Sequence, residues 1–341
     1  MAKYITKRIL MSILILLGVS LILYILIRCM PASFIDRKVA AMNQNGTVSE
    51  ETIQSMKTLY GLEDDSFKGM ITGYLRWWGL YPDSATGKLN GLLQGNFGTS
   101  FYYSGRQVID VIKDNMGVSF AIALIATIFE FLIAVPLGIT AATHQYSFRD
   151  YLVTILVMIG ISLPSFFFGQ VLKDLFALKL GWFEPSGWVD ATQTLSPMEK
   201  LLDYTRFAFI PILTVVILSI GSRMRMTRTN MLEVLNSDYI RTARAKGLKE
   251  RVVIYKHAFR NTLIPLVTSM AGLLPGLFSG AIITEQVFDL PGIGNKAYLA
   301  MVAGDIPFIM GYNMFLAILS VIGVLLADLM YAVVDPRVKL S

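Results

Sequence analysis

The stretch ILMSILILLGVSLILYILI, from Ile9 to Ile27, contains no charged residue. As a helix it is roughly 28 Å long, which suffices to cross a hydrocarbon core of about 30 Å. Lys3, Lys7 and Arg8 precede it and would lie in the water at one end. We therefore predict a first transmembrane helix within residues 1–30.

A cleaved signal peptide has the same basic start and is the alternative for this stretch. The apolar run is long for a signal peptide, however, and no A-x-A-like cleavage site follows it. A lipoprotein would need a small residue before Cys29, where Arg28 stands. These observations favour a span that is retained.

The whole chain repeats this separation of apolar blocks from charges. Of its 341 residues 54% are hydrophobic and 16% charged, whereas soluble domains carry about a quarter charged residues. This composition argues against a soluble enzyme. Five further apolar blocks follow the first, namely Val118 to Leu137, Tyr151 to Leu178, Phe207 to Ile220, Leu263 to Ile283 and Ile306 to Val334. We predict an all-α integral membrane protein with six transmembrane helices, the last five within residues 116–335.

The polar segment 31–115 is predicted to be an extracytoplasmic subdomain between spans one and two. Thr47 and Glu50 have the spacing of a capping box, which predicts a helix from Val48 to Leu59. Trp77, Trp78 and Tyr81 suggest an aromatic belt at the membrane interface.

The distribution of basic residues predicts the orientation of the spans. Lys and Arg concentrate at the amino terminus, in segment 222–262 and in the tail 336–341, whereas the intervening segments on the other side are mildly acidic. By the positive-inside rule, both termini and segment 222–262 are cytoplasmic. The net charge of +6 thus indicates topology in a plasma or inner membrane, and we expect no nucleic acid partner.

The sequence lacks the residues that disulfide frameworks, soft-metal sites, catalytic sites and phosphate-binding loops require. One cysteine and two histidines, His144 and His257, provide neither a disulfide framework nor a soft-metal site. No catalytic triad or other catalytic set is recognisable. The sequence has no G-x-x-x-x-G-K-[ST] phosphate-binding loop. We expect no catalytic residue, metal or cofactor in this chain.

Segment 222–262 carries a distinctive motif, DYIRTARAKGL, from Asp238 to Leu248. Ser237 or Asp238 is suited to cap a short helix, and Gly247 to end it in left-handed geometry. Small side chains leave one face flat enough for another protein to approach, and basic side chains surround it; the small ones are Thr242, Ala243 and Ala245, and the basic ones Arg241, Arg244 and Lys246. The alternative is a basic segment that lies on anionic lipid.

This motif resembles the cytoplasmic loop of type I ABC importer permeases of the oligopeptide/dipeptide family. The resemblance continues through His257-Ala258-Phe259-Arg260-Asn261 and Leu263-Ile264-Pro265. It extends over nearly the whole chain, in Tyr60-Gly61-Leu62, Gly95-Asn96-Phe97-Gly98-Thr99-Ser100, Ser162-Leu163-Pro164-Ser165-Phe166, Glu285-Gln286-Val287-Phe288, Pro291-Gly292-Ile293-Gly294 and Asp335-Pro336-Arg337. The segment from Trp77 to Leu92 and the charges Glu130 and Lys173 depart from the pattern.

The resemblance implies a transport subunit rather than an enzyme. Such a permease pairs with a second, homologous permease, and two cytoplasmic ATPases hold the ATP and Mg²⁺. An extracytoplasmic binding protein delivers the substrate, a di- or oligopeptide. The residues that match the loop and would couple it to an ATPase are Asp238, Tyr239, Arg241, Thr242, Ala243, Arg244, Ala245 and Gly247.

Further residues within the spans are candidates for the pathway and for packing. Gly272, Gly276 and Gly280 recur every four residues, which predicts one helical face, either against the partner permease or within this chain. Glu130, in mid-span, either lines the pathway and meets a peptide amine or pairs with Lys173. Pro164 also lies in a predicted span, where it is either a hinge or a static kink. Asp328 is a further charge near a span's end, and Glu285 is assigned to an external loop.

Three alternatives remain open at this point. The same class of importer also carries oligosaccharides or nickel. A stand-alone secondary transporter would need broken repeats or a set of intramembrane carboxylates, and only Glu130 lies in mid-span. An intramembrane enzyme would need a catalytic motif at membrane depth, and none is recognisable.

Overall fold

The computed structural model describes residues 2–29, 57, 60, 64, 66–82, 87–189 and 196–334, with side chains from 6 to 330. Within these ranges the chain is helical, and its one β-type pairing is an isolated bridge between Thr99 and Gln107. The helix predicted for residues 48–59 lies outside the described residues except for Lys57, which is helical. The C-terminal Asp335-Pro336-Arg337 lies outside them altogether.

The described ranges contain twelve main helices, which we number in chain order. They are α1 (Ala2–Arg28), α2 (Phe67–Trp78), α3 (Val108–Thr143), α4 (Phe148–Ser162), α5 (Ser165–Leu172), α6 (Pro197–Leu235), α7 (Asp238–Ala245), α8 (Arg260–Ser269), α9 (Leu273–Ser279), α10 (Ile282–Val287), α11 (Ile293–Ala303) and α12 (Ile306–Val334). Short 3₁₀ or π-helical turns adjoin some of these helices, at Lys173–Lys179, Val253–Phe259 and Met270–Gly272, and a separate 3₁₀ turn lies at Leu92–Gln94.

Five helical stretches in the described part are long and apolar enough to cross a membrane: Thr6–Arg28, Val108–Thr143, Pro197–Leu235, Glu250–Val287 and Ile306–Met330. The pair Phe148–Ser162 and Ser165–Lys179 makes a sixth when it is counted as one span, and it is bent by 102°. Their apolar surfaces are exposed, as at Leu14, which suits contact with lipid. The predicted all-α, six-span architecture is confirmed.

The first five spans are longer than the apolar blocks that predicted them. The fourth, predicted over Phe207 to Ile220, begins at Pro197, because Ser196 and Glu199 form a reciprocal capping box with proline at the first helical position. It continues to Leu235, so the first third of segment 222–262 is helix rather than loop. Charged side chains on exposed helical turns hid this continuation from a hydropathy criterion.

The residues pack as two compact units, of which the first comprises Met1–Gly117 and Gly292–Ile322. In its core Trp77 is fully buried, and its ring stacks on Tyr24 at 6.2 Å between centroids. The Tyr24 hydroxyl donates to the carbonyl of Tyr60 at 2.8 Å, and Trp78 Nε1 donates to Ser20 Oγ at 3.1 Å. The interfacial position predicted for Trp77 is therefore wrong, because α2 packs its ring against α1. For Trp78 and Tyr81 the interfacial belt stays a prediction.

Asp305 joins two segments within the same unit. Its Oδ1 accepts the backbone N–H of Phe308, which caps α12. Its Oδ2 accepts Ser100 Oγ at 2.5 Å and the backbone N–H of Tyr102 at 3.0 Å. Burial raises the pKa of the Asp305 carboxyl above its usual range, although these hydrogen bonds oppose the shift.

The second unit comprises Val118–Pro291 and Gly323–Ser341. Asp150, near the start of α4, accepts two hydrogen bonds from the guanidinium of Arg228 on α6, at 2.8 and 2.9 Å. Helices α3 and α6 approach closely at Gly138, where an added Cβ would lie 2.7 Å from Thr227 Cβ. The unit holds the candidate sites that follow.

Candidate functional site

The motif DYIRTARA forms the separate short helix α7. Ile240 and Ala243 on its inner face are buried, in a cluster that includes Ile139, Met231 and Val253. The remaining side chains that the sequence singled out are exposed, namely Asp238, Tyr239, Arg241, Thr242, Arg244 and Ala245. The expectation that Ala243 belongs to the flat outward face is thus corrected, because its methyl group anchors the helix to this chain.

The end of α7 is set by Gly247, which has a φ of +74°, the left-handed conformation expected of it. A Cβ added there would meet nothing within 4 Å. Arg244 donates to both carboxylate oxygens of Glu250 at 2.7 and 3.2 Å, which links α7 to the next helical turn. Ser237 precedes the helix, but its hydroxyl donates back to Val234 instead of capping. Helix α7 therefore packs on the buried cluster with its inner face and exposes its outer face.

A second candidate site is a cavity of about 190 Å³ within the same unit. One wall is a single face of α3, and a second comes from α6. The third is the broken helical segment from Gly272 to Glu285. The polar side chains in the lining are Ser119, Thr127, Glu130, Ser219 and Glu285.

Glu130 lies in this cavity wall and is paired. Arg223 Nε donates to Glu130 Oε1 at 2.9 Å, and Arg223 Nη1 donates to Ser269 Oγ at 2.7 Å. The guanidinium also stands 4.5 Å from the centre of the Phe131 ring, close enough for a cation–π contact. The predicted alternative of a Glu130–Lys173 pair is wrong, because Lys173 Nζ donates to the carbonyl of Val287 at 3.1 Å.

Glu285 is the residue that the sequence reasoning missed. The sequence predicts an external loop there, yet Glu285 is 1% exposed and lines the cavity. Ser119 Oγ donates to Glu285 Oε1 at 2.6 Å. The apolar run before it ends at Ile283, so Glu285 falls just outside the predicted span. The adjoining ITEQVF pattern, which is more apolar than a loop requires, was the available indication.

The three glycines line the cavity but do not share one helical face. Gly272 closes a 3₁₀ turn, Gly276 lies in α9, and Gly280 has a φ of +72°, which breaks the helix before α10. The prediction of a continuous glycine face is wrong for this reason. An added Cβ at Gly272 or Gly276 would meet nothing within 4 Å, so no other described segment packs against either glycine there.

The structure places Pro164 away from the cavity lining, at the sharp bend between α4 and α5. Leu163 is extended, as expected of a residue that precedes proline, and α5 begins directly after Pro164. Asp328 lies in the penultimate turn of the described part of α12. Across the described residues, no three side chains of the metal-binding types come together.

Comparison with known proteins adds three results. The family model described as binding-protein-dependent transport system inner membrane component matches residues 134–340. The chain is 35% identical over 339 residues to the oligopeptide transport system permease protein AppB of Bacillus subtilis, covering 99% of this chain and 100% of that one. It is 31% identical over 340 residues to the dipeptide transport system permease protein DppB of Lactococcus lactis, covering 100% of both.

A solved structure is similar in fold. It is a chain of the MetNI methionine ABC transporter in an inward-facing conformation, with a TM-score of 0.50 and 18% identity. The match covers 67% of this chain and 97% of that one.

Proposed function

This chain belongs to the family of binding-protein-dependent transport system inner membrane components, and on that premise we propose that the substrate it conducts is a di- or oligopeptide. It is a multi-pass permease subunit of an ABC importer, a transport component rather than an enzyme. The peptide cargo is supported by the end-to-end similarity to permeases named for oligopeptide and dipeptide transport. It is favoured over oligosaccharides and nickel for that reason.

Helix α7 is the observation that supports coupling to an ATPase. Its buried face, Ile240 and Ala243, holds it on the cluster beneath, while Tyr239, Arg241 and Thr242 project outward. One face of such a helix packs against this chain and the other is exposed. Movement of a protein docked on the exposed face is therefore transmitted to the spans that the helix packs against. We propose that α7 docks against one of two cytoplasmic ATPases, which hold the ATP and Mg²⁺.

The rest of the assembly follows from the same proposal. A second, homologous permease completes the pathway, and an extracytoplasmic binding protein delivers the peptide. The open glycine surface at Gly272 and Gly276 suits close approach by another backbone. The basic charge around α7 supports placing both termini and α7 on the cytoplasmic side.

Purification and transport together test this proposal. The tagged chain is extracted in mild detergent, and the proteins that copurify are identified. The complex is then placed in liposomes with its binding protein, and uptake of a labelled peptide is measured with ATP and with a non-hydrolysable analogue. We expect a second six-span protein, two ATPases and ATP-dependent peptide uptake.

Two results would contradict it. Transport by the isolated chain without ATP would indicate a stand-alone transporter. ATP-dependent uptake of an oligosaccharide or nickel, without peptide uptake, would leave the importer assignment intact and overturn the cargo.

A further inference from the structure

Helix α2 packs against the first span, and the length of that span fixes how deep the contacts between them lie. The charge-free run from Ile9 to Ile27 is about 28 Å long as a helix, and the hydrocarbon core of a membrane is about 30 Å thick. The whole run is therefore needed to cross the core. This places Ile27 at the edge of the core and the residues before it inside.

Hydrogen bonds show how far α2 follows α1 past that edge. Arg28 Nη2 donates to the carbonyl of Asp64 at 2.8 Å, shortly before α2 begins. At the other end of α2, Trp78 Nε1 donates to Ser20 Oγ at 3.1 Å, and the Tyr74 hydroxyl lies 2.7 Å from the same atom. Ser20 precedes the end of the run by seven residues, or about 10 Å. Because α2 is only about 18 Å long, it enters the core beside α1 and ends within it.

The side of α2 that faces away from the protein is apolar. Phe67 and Ile71, four residues apart and therefore on one face, are 74% and 45% exposed. Gly69, Gly73 and Trp77 are buried on the opposite side. A helix that stands in water turns its polar side chains outward, so this pattern favours apolar surroundings.

The exposed apolar surface continues beyond α2. Leu80, in the turn after the helix, is 58% exposed. On α1, Ile22 and Leu26 lie at the heights that α2 follows, and they are exposed as well. Because a span exposes such side chains to acyl chains, the exposed side of α2 at the same depth meets the same lipid.

The irregular backbone after α2 has its hydrogen bonds within the protein. The Gly79 N–H donates to the carbonyl of Arg76 at 2.8 Å. Gln94 Nε2 donates to the carbonyl of Gly79 at 3.2 Å, and Gln94 Oε1 accepts the N–H of Gly91 at 2.9 Å. Backbone groups at membrane depth must be satisfied by the protein itself, and the end of α2 meets this requirement.

Arg76 is a cation near the deep end of α2, where an isolated charge is costly. Its Nε donates to the carbonyl of Pro82 at 3.3 Å, and its guanidinium lies 5.8 Å from the centre of the Tyr81 ring. Charged side chains within membranes pair with backbone carbonyls, and long ones extend toward the interface. These contacts make Arg76 compatible with a helix that lies in the membrane.

We propose that α2 and the turn after it, residues 67–81, are embedded in one leaflet, with lipid acyl chains covering Phe67, Ile71 and Leu80. On the orientation proposed above, this is the extracytoplasmic leaflet. Segment 31–115 is then anchored by its own helix as well as by the spans on either side of it. The inference depends on α1 crossing the membrane and is independent of the cargo.

Spin labels at single cysteines test this in the complete importer, reconstituted in liposomes of phosphatidylcholine and phosphatidylglycerol. The chain's only cysteine is exposed and is first removed by Cys29→Ser. Labels are attached in Ile71→Cys and in Leu80→Cys, and the signal of the importer without an introduced cysteine is subtracted. Power saturation then measures collision of each label with oxygen, which concentrates in hydrocarbon, and with a water-soluble nickel chelate.

Two exposed positions of the same unit provide the reference values. Ile22→Cys labels the lipid-facing side of α1, and Ser104→Cys labels an exposed turn outside the spans. We expect the oxygen-to-nickel collision ratio at Ile71 and Leu80 to approach the Ile22 value. It should exceed the Ser104 value several-fold, because the chelate is excluded from hydrocarbon.

Two results would overturn the inference. Ready collision with the nickel chelate at both positions would place α2 in water. Shielding from both reagents would show that protein covers this face, whether a partner subunit or another part of this chain. Either of Ile71→Cys and Leu80→Cys carries the test if the other fails to assemble. ATP-dependent peptide uptake, which tests the proposed function, is measured separately and does not depend on the outcome.

Discussion

Arg223 and Glu130 form an ion pair of 2.9 Å in which the side chains are only 14% and 9% exposed. Arg223 also donates to Ser269 at 2.7 Å, so one guanidinium joins α6 to both α3 and α8. Charges within membrane spans are costly and usually pair with one another or face a cavity. This pair does both, since Glu130 borders the cavity as well.

Removing only the cation should destabilise the protein more than removing both charges. Arg223→Met leaves Glu130 buried without its partner, and breaking a buried pair in this way typically costs about 3–5 kcal/mol. The double variant Glu130→Leu with Arg223→Met leaves no uncompensated charge and should recover much of that loss. Thermal unfolding of the purified protein in detergent measures both.

The matched control is Arg106→Met, which breaks the exposed pair with Asp114. Exposed pairs contribute about 0–1 kcal/mol, so its unfolding temperature should barely change. Equal losses in Arg223→Met and the double variant would show that packing of the arginine, rather than its pairing, stabilises the protein.

Two helical glycines should respond in opposite ways to one added methyl group. At Gly276 a Cβ meets nothing within 4 Å, so Gly276→Ala should stabilise α9 by about 0.5–1 kcal/mol. At Gly138 a Cβ would lie 2.8 Å from the carbonyl of Met224, so Gly138→Ala should push α3 and α6 apart and lower the unfolding temperature.

Transport gives a second readout at Gly276. Gly276→Leu should lower peptide uptake because its larger side chain projects into the cavity, while the protein still assembles. Uptake unaffected by Gly276→Leu would mean that this cavity does not accommodate the peptide. The stabilisation by Gly276→Ala is expected of the isolated chain, and destabilisation there would contradict an open surface. Destabilisation in the assembled importer alone would instead support close approach by the second permease.

The spans could be predicted from the sequence because the hydropathy of a long helix depends on its own residues, whatever they pack against. Ile306–Val334 was predicted to the residue, since an uninterrupted apolar run has one interpretation. Gly247 was predicted because left-handed backbone strongly favours glycine. These predictions depend on local properties of the chain.

The errors involve partners that are distant in sequence. Glu130 lies 93 positions from Arg223, and no local pattern distinguishes that pairing from one with Lys173. Ala243 is small, which suits both an outward docking face and an inward position beside Ile240 in the buried cluster. Glu285 follows an apolar run that ends at Ile283, so hydropathy places it outside the span. In each case the residue type was compatible with two positions, and only the tertiary packing shows which of them the residue occupies.

Asp305 should make the stability of the protein fall as pH rises. Burial raises its pKa above the ordinary value of 3.8, so the folded protein holds this proton more tightly than the unfolded chain. The associated stability is complete below pH 3.8 and is lost as pH rises through the raised pKa. Asp305→Asn cannot ionise, so its unfolding temperature relative to the wild type should increase across that window.

Asp64→Asn is the control of opposite sign. Hydrogen bonds from Ser66, the backbone N–H first, lower the pKa of Asp64, so its contribution is lost as pH falls. Unfolding temperatures measured in detergent over a pH series compare the three proteins. A constant difference between Asp305→Asn and the wild type would show that Asp305 ionises no differently in the folded and unfolded chain.

Gly247→Leu should separate ATP hydrolysis from transport. Leucine at a φ of +74° costs about 1–2 kcal/mol, so the turn after α7 relaxes toward negative φ and re-aims the helix. Among the described residues beyond its immediate chain neighbours, none lies within 4 Å of the added Cβ, so the substitution does not press on the spans. We expect an importer that assembles and hydrolyses ATP but takes up peptide at least about tenfold more slowly, because a misaligned contact transmits less of the ATPase motion.

Gly181→Leu imposes the same strain elsewhere. Gly181 has a φ of +64° and is likewise open around its Cβ, but it follows the π-helical turn Lys173–Lys179 rather than α7. Its uptake should stay near that of the wild type when both are normalised to assembled complex. If both variants lose uptake equally, strain at any exposed turn is sufficient, and α7 has no special part in coupling. If only Gly247→Leu loses uptake, and the ATPases no longer copurify with it, then α7 is a docking site. Its contact with the ATPase would then be needed for assembly as well as for coupling ATP hydrolysis to transport.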